Sequence, residues 1–258
     1  MAVAVTMKIR LDKYLANMGY GTRSQIKKAI TEGSVTVNGP IVKRPETKVD
    51  TEVDIVCFSG KPAAYRSYEY YMMNKPAGVV CATQDKKERT VLELLADNRR
   101  KDLFPTGRLD KDTEGLLLIT NDGDLAHRLL SPGKHVDKVY FVRVEGRLDA
   151  NDIEMFARGL DIGDKKNTLP AELKIITSGE TSEAEVTIRE GRYHQIKRMF
   201  HSVGKNVLYL KRLCMGSLVL DETLGPGEYR RLTEKETEKL RQETAAAKNG
   251  SVKGDLQC

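Results

Sequence analysis

Gly107-Arg108-Leu109-Asp110-Lys111-Asp112-Thr113-Glu114-Gly115, followed by Leu116-Leu117-Leu118-Ile119-Thr120, sets a knot of charge directly against an apolar run. A short apolar run bounded by turn residues reads as a buried strand. An ionised group beside such a strand costs several kcal/mol, roughly, unless it is paired. A carboxylate at that edge, next to an arginine and between glycines that admit a close backbone or ligand, suits a nucleophile or an acid/base group. On spacing alone, a charged surface turn leading into a core strand explains the same letters and is the better reading.

The rest of the chain narrows the setting. It has 258 residues, 31% of them charged and 40% hydrophobic, enough for one large domain or a large one with a small companion. No apolar stretch approaches the roughly 18 residues of a membrane span, and the first residues lack the basic region of a secretory signal, so a cytoplasmic location without membrane contact is expected. Cys57, Cys81, Cys214 and Cys258 show no pair at metal-ligand spacing, the four histidines show no zinc pattern, and no metal is expected.

The net charge of +6 hints at a polyanionic partner, and its placement says more than its size. Residues 7–28 hold six basic side chains (Lys8, Arg10, Lys13, Arg23, Lys27, Lys28) against the single acid Asp12. Leu11, Tyr14, Leu15 and Met18 recur at helical spacing, and Gly19 with Gly21 ends the run. A second helix opens at Thr22, with Gln25 completing a capping box, and closes at Gly33. Val35–Val37 alternates as a strand into an Asn38-Gly39 turn with Ile41-Val42 returning, and residues 53–56 read as another strand. Residues 58–67 carry neither period and read as a linker.

Further on, Asn74-Lys75-Pro76-Ala77-Gly78 follows a strand and reads as a turn. Lys138–Val144 has period two, with Tyr140, Val142 and Val144 on one face. After Glu190-Gly191-Arg192-Tyr193-His194-Gln195, the residues Ile196, Met199, Phe200 and Val203 define one helical face. At about 100° per residue, Lys197 falls on the flank of that face and Arg198 points nearly away from it. The flanking lysine can reach a buried carboxylate, while the opposed arginine is better placed for the phosphates of a polyanionic partner. Gly146-Arg147-Leu148-Asp149 repeats the first four letters of the opening motif, but Asp149 precedes a helical pattern and reads as its N-cap.

Taken together, Gly107–Asp110 with Thr113, Gly115–Leu118 and Thr120–Gly123, the Asn-Lys-Pro-x-Gly segment, Lys-x-Tyr at 138–140 and Gln-Ile-Lys at 195–197 resemble the RNA pseudouridine synthases. The closest branch is the RsuA type, which acts on ribosomal RNA. The resemblance spans about residues 7–232. Arg10-Leu11-Asp12, Thr22-Arg23-Ser24 and Val35–Gly39 resemble the S4-like RNA-binding domain. The implied fold is α+β: an S4-like domain over 7–57, the linker, a catalytic domain over 68–232 with a mixed, mainly antiparallel sheet flanked by helices, and a polar helix and tail over 233–258.

The resemblance implies that Asp110 is the nucleophile, that Tyr140 stacks on the target base, and that Lys197 pairs with Asp110, with Arg198 as the fallback. Arg10, Arg23, Ser24, Lys27, Arg108, Arg192 and Arg198 are the expected RNA contacts, to phosphates rather than bases. Such an isomerisation calls for no cofactor. Attack at C1′, attack at C6 and deprotonation at C2′ remain open for Asp110. Residues 191–199 are most similar to the small-subunit branch, implying 16S ribosomal RNA, free or in a partly assembled subunit, as partner of a monomer. A 23S substrate and a non-catalytic assembly factor are the alternatives. A further rival is a carboxylate-pair hydrolase built on Asp110 with Asp112 or Glu114, against which stands the expectation that these carboxylates do not face one another.

Overall fold

The computed structural model describes residues 8–65, 68–96, 100, 102–131 and 136–246. These residues fall into two compact units: one runs to Glu69 and takes in the segment 96–103, and the other begins at Tyr70. No helix among the described residues is long and apolar enough to cross a membrane.

In the smaller unit, strand β1 (Lys8–Arg10) leads into helix α1 (Leu11–Asn17), and α2 (Arg23–Thr31) follows. The α2 N-terminus is held as its sequence suggests: the Gln25 amide donates to the Thr22 hydroxyl, and the Thr22 amide donates to the Gln25 side chain. Leu11, Leu15, Ile26 and Ile30 are buried against Tyr14 and Val35. Strands β2 (Val35–Val37), β3 (Lys48–Asp50), β4 (Val56–Phe58) and β5 (Lys61–Pro62) complete the unit, with β1 on β3 and β2-β4-β5 as a separate sheet.

Two expectations change here. The strand expected over 53–56 begins only at Val56, because the Asp54 carboxylate accepts the Asp50 amide at 2.7 Å and the Asn38 amide at 2.9 Å, folding 50–54 into a turn. The described part of the expected linker is not a linker. Lys61 and Pro62 pair with Phe58 and Cys57, Ala63 is buried, and the Tyr14 hydroxyl donates to the Ala63 carbonyl at 2.6 Å. A strand of two residues has too little alternation to register as a period.

The larger unit is built on strands β6 (Tyr70–Lys75), β7 (Phe104–Thr106), β8 (Glu114–Thr120), β9 (Lys138–Glu145), β10 (Glu172–Thr177), β11 (Thr181–Ile188), β12 (Val207–Met215), β13 (Leu218–Val219) and β14 (Tyr229–Arg231). Their order is β10-β11-β9-β12-β8-β6-β14, with β13 added to β12 and β7 to β8. Among the described residues only β8 with β12 is parallel, so the sheet is mixed and mainly antiparallel. Helices α3 (Gly123–Leu130), α4 (Ala150–Arg158), α5 (Gln195–Ser202) and α6 (Glu234–Ala246) flank it.

The apolar run of the opening motif is the centre of this sheet: Leu116, Leu117, Leu118 and Ile119 are wholly buried in β8. Leu116 and Leu118 pack with Met72, Leu125, Leu129, Met215 and Leu240. Asp122 caps α3 by accepting the Leu125 amide at 3.0 Å, and it also accepts the Tyr70 hydroxyl at 2.6 Å. The polar helix α6 docks through buried Leu240 and through Arg241, which donates to the Tyr70 hydroxyl at 2.9 Å. The tail expected beyond it, 247–258, lies outside the described residues. Asp149 is the N-cap of α4, accepting the amides of Asn151 and Asp152, as its position before a helical pattern suggests.

Candidate active site

The carboxyl group of Asp110 sits on a turn that enters β8, and the turn is pinned from inside. The Thr113 amide closes it on the Asp110 carbonyl at 3.1 Å. Beneath it lies Lys75, the last residue of β6, wholly buried. Its Nζ donates to the carbonyls of Asp110 (3.0 Å), Lys111 (3.2 Å), Thr113 (2.8 Å) and Pro76 (3.0 Å). The Gly78 amide adds a bond to the Lys111 carbonyl at 2.7 Å. The Asn-Lys-Pro-x-Gly segment is therefore a clamp on the Asp110 backbone rather than a simple turn. Burial pulls the Lys75 ammonium below its ordinary pKa, while Cys81, Asp112, Asp110 and Glu114 pull the other way.

Gly115 lets β8 reach its parallel partner. Its φ is +98°, and a Cβ there would collide with the backbone oxygen of Arg212. The register then aligns three strands: Gly115 of β8 faces Arg212 of β12, and Arg212 faces Tyr140 of β9. Tyr140 is 7% exposed, on the buried face with Val142 and Val144, and its hydroxyl makes no hydrogen bond among the described residues. Arg212 is buried too, with Nε donating to the Leu116 carbonyl at 2.7 Å.

Helix α5 supplies the cation. Ile196, Met199 and Phe200 bury its apolar face, and Lys197 on the flank places Nζ 3.3 Å from Asp110 Oδ2 and 2.6 Å from Asp112 Oδ1. Partial burial works against the charge on Lys197, but its bond to Asp112 and the nearby charge of Asp110 raise its pKa overall. Partial burial likewise opposes ionisation of Asp112, and Lys197 outweighs it, holding that carboxyl below its ordinary range. His194 precedes α5 in the left-handed region, φ 49°, with Nε2 3.6 Å from Asp110 Oδ1. Its ring stacks on Tyr193 at 3.8 Å between centroids.

The convergence of Asp110 and Asp112 on one lysine corrects the expectation that these carboxylates do not face one another. Residues two apart share a side of an extended chain, and here the turn closed by Thr113 brings both to Lys197. Asp112, which the sequence offers only through the hydrolase rival, and His194 both stand beside Asp110 without having been assigned a role in the synthase reading. The two-residue spacing was the signal for the first, and the second was noted only as part of a motif.

The expected RNA contacts divide sharply. Arg192 donates to Glu190, Asp164 and the carbonyls of Lys166 and Asn167. Arg198 donates to the carbonyls of Ile162 and Tyr193 and pairs with Asp164 at 2.6 Å. Both guanidinium groups are engaged in holding loop 162–167 and the start of α5. Arg108, by contrast, is exposed and has no hydrogen bond or ion pair among the described residues. In the smaller unit, Arg10, Arg23 and Lys27 line one cleft of about 180 Å³ with Asp12 and Lys13. Arg10 forks onto Asp12 at 3.0 and 2.9 Å, whereas Arg23, Lys27 and the first-turn Ser24 are exposed, and the side chains of Arg23 and Lys27 form no hydrogen bond or ion pair among the described residues.

Comparison with known proteins bears on this arrangement. Residues 69–202 match the model of the RNA pseudouridylate synthase family, and residues 9–55 match the S4 domain. The chain is 48% identical over 240 residues to an uncharacterized RNA pseudouridine synthase of Bacillus subtilis, covering 92% of this chain and 100% of that protein. It is 42% identical to the ribosomal small subunit pseudouridine synthase A of Escherichia coli, covering 88% of this chain and 98% of the relative. A crystal structure of a pseudouridylate synthase superimposes with a TM-score of 0.64 at 40% identity, over 90% of this chain and 99% of the other. The clamped Asp110 turn, the lysine of α5 and the S4 domain ahead of them thus belong to a member of the RNA pseudouridylate synthase family.

Proposed function

We propose that this enzyme converts a single uridine of 16S ribosomal RNA to pseudouridine, with Asp110 as nucleophile, Lys197 as its ionic partner and Tyr140 as the stacking surface for the target base. The observation that carries the reading is the 3.3 Å contact between Lys197 and an Asp110 held on an internally clamped turn. The choice of 16S rests on the small-subunit relatives at 42% identity.

In the reaction the C1′–N1 bond breaks, the freed uracil turns while bound, and a C1′–C5 bond forms. C5 gives up its proton and N1 takes one, so the net change is an isomerisation. A nucleophilic carboxylate has to be ionised and aimed. Lys197 supplies the opposite charge, and the Lys75 clamp removes the backbone freedom that would otherwise spread the attack over many geometries. Target uridines inside a helix have to leave the stack to reach such a group, as other base-modifying enzymes require. An aromatic face for the extruded base is worth about 1–3 kcal/mol.

The convergence of two carboxylates invites the hydrolase reading, but an acid/base pair needs one carboxyl to hold a proton. Lys197 is shared by both carboxyls and holds Asp112 below its ordinary range, which makes Asp112 a poor proton donor for that role.

The test is pseudouridine mapping of unmodified 16S and 23S RNA after incubation with the protein and with Asp110→Asn. One new 16S site, absent with Asp110→Asn while RNA affinity is retained, is the expected result. A 23S site would overturn the substrate and keep the chemistry. Free uracil or a cut strand would overturn the chemistry.

A further inference from the structure

Tyr193 is 75% exposed, the largest exposure among the exposed large hydrophobic side chains of the described residues. One face of its ring is covered by His194, stacked at 3.8 Å with an interplanar angle of 18°. The other face has no ring or cationic partner among the described residues. The pair stands at the rim of the site, since the same His194 carries Nε2 to within 3.6 Å of Asp110 Oδ1.

An exposed tyrosine alone means little, because single surface apolar residues are common. This one is braced. The Tyr193 carbonyl accepts Arg198 Nη1 at 3.0 Å. Gln195 ties the segment at both ends, accepting the Arg192 amide at 2.9 Å and donating to Glu190 at 3.0 Å. His194 is held at φ 49°, a conformation a non-glycine residue rarely adopts and that recurs where the surrounding structure fixes a side chain for use. Backbone freedom is thus reduced before any partner arrives, and the His194 ring supports one face of the Tyr193 side chain. That is the preorganisation that lets an aromatic ring bind without a large ordering cost.

We propose that the open face of Tyr193 stacks an unpaired RNA base flanking the target uridine, positioning the strand so that the uridine enters beside Asp110. The inference rests on the synthase reading and extends it. Tyr140 is buried in the sheet face and is assigned the target base, whereas Tyr193 stands out in solvent and needs a second base. A neighbour of the extruded uridine has lost one stacking partner, and the Tyr193–His194 stack replaces it. Every base has a π-face, so the platform sets position and local single-strandedness more than identity.

The experiment measures kcat, KM and RNA affinity (by fluorescence anisotropy) for wild type, Tyr193→Ala and Tyr193→Phe. The substrate is a 16S fragment containing the mapped uridine, together with fragments abasic at each immediately flanking position. Tyr193→Ala is expected to raise KM and Kd about tenfold, with a much smaller change in kcat, and Tyr193→Phe to restore affinity. One abasic fragment is expected to weaken wild-type binding by a similar factor and to erase the difference between wild type and Tyr193→Ala. Unchanged affinity in Tyr193→Ala, or a difference that persists on both abasic fragments, would overturn the proposal. A mapped uridine in 23S rather than 16S RNA would overturn the substrate reading alone, and the same series on the corresponding 23S fragments would still decide the role of Tyr193.

Discussion

In the larger unit Lys75, Arg192, Lys197 and Arg198 all close on the protein itself, whereas in the smaller unit the side chains of Arg23 and Lys27 are exposed and form no hydrogen bond or ion pair among the described residues. The same residue types do different work. Cations around Asp110 build geometry: they hold the turn, the carboxylate and the loop that presents Tyr193. On α1 and α2, Lys13, Arg23 and Lys27 line a cleft, and among the described residues the side chains of Arg23 and Lys27 donate to no protein group. A basic residue near an RNA-processing site is therefore not by default an RNA contact, and the useful question is whether its donors are already spent.

The sharpest way to break this comparison is Lys75→Met. The change keeps the volume and removes the charge: the carbonyls of Asp110 and Lys111 retain the Thr113 and Gly78 amides, while those of Pro76 and Thr113 lose their Lys75 donor. Unsatisfied buried acceptors cost about 1–3 kcal/mol each when nothing relaxes, so a stability loss of about 3 kcal/mol is expected in urea unfolding. The rate should suffer more, by about a hundredfold in kcat, because a misplaced nucleophile is costly even in a folded enzyme. A variant that unfolds earlier but turns over normally would show that the turn holds its shape without the clamp.

How much of this was visible in the chain depends on the range of the interaction. Lys197 was legible because a helix converts sequence spacing into angle, and its apolar face at 196, 199 and 200 fixes which way 197 points. The caps at Thr22 and Asp149 were legible for the same reason, since their partners lie three residues away. Arg192 and Arg198 read as RNA contacts because their partners around residues 162–167 are 25 to 36 positions off and leave no local pattern. The Lys75 clamp is likewise a bond across 35 positions. The fold of 58–65 escaped because its strand is only two residues long.

A smaller effect sharpens the contrast between spent and unspent donors. Arg23→Ala and Lys27→Ala are expected to leave the unfolding midpoint nearly unchanged and to weaken RNA binding. Each should lower the slope of log K against log salt by about one, as loss of a phosphate contact does. Arg198→Ala should behave in the opposite sense, losing about 1–3 kcal/mol of stability through its carbonyl and Asp164 partners while the salt slope stays put. A salt slope that falls with Arg198→Ala would return that residue to the RNA interface.

The smallest expected effect concerns the second copy of Gly-Arg-Leu-Asp. Asp149 and Asp110 follow the same three residues, yet one caps a helix and the other sits on a clamped turn beside a lysine. Asp149→Ala should cost about 1 kcal/mol, the usual loss for an N-cap acceptor, and should leave kcat unchanged. Asp149→Ser, which retains a capping oxygen, should recover most of that loss. What separates the two aspartates lies outside the four letters: in Asp110 the carboxylate is aimed by Lys75 and Lys197 from distant strands and helices, and in Asp149 it is used up by the amides of Asn151 and Asp152. A fall in turnover with Asp149→Ala at full stability would mean that the cap of α4 reaches the site by a route these bonds do not contain.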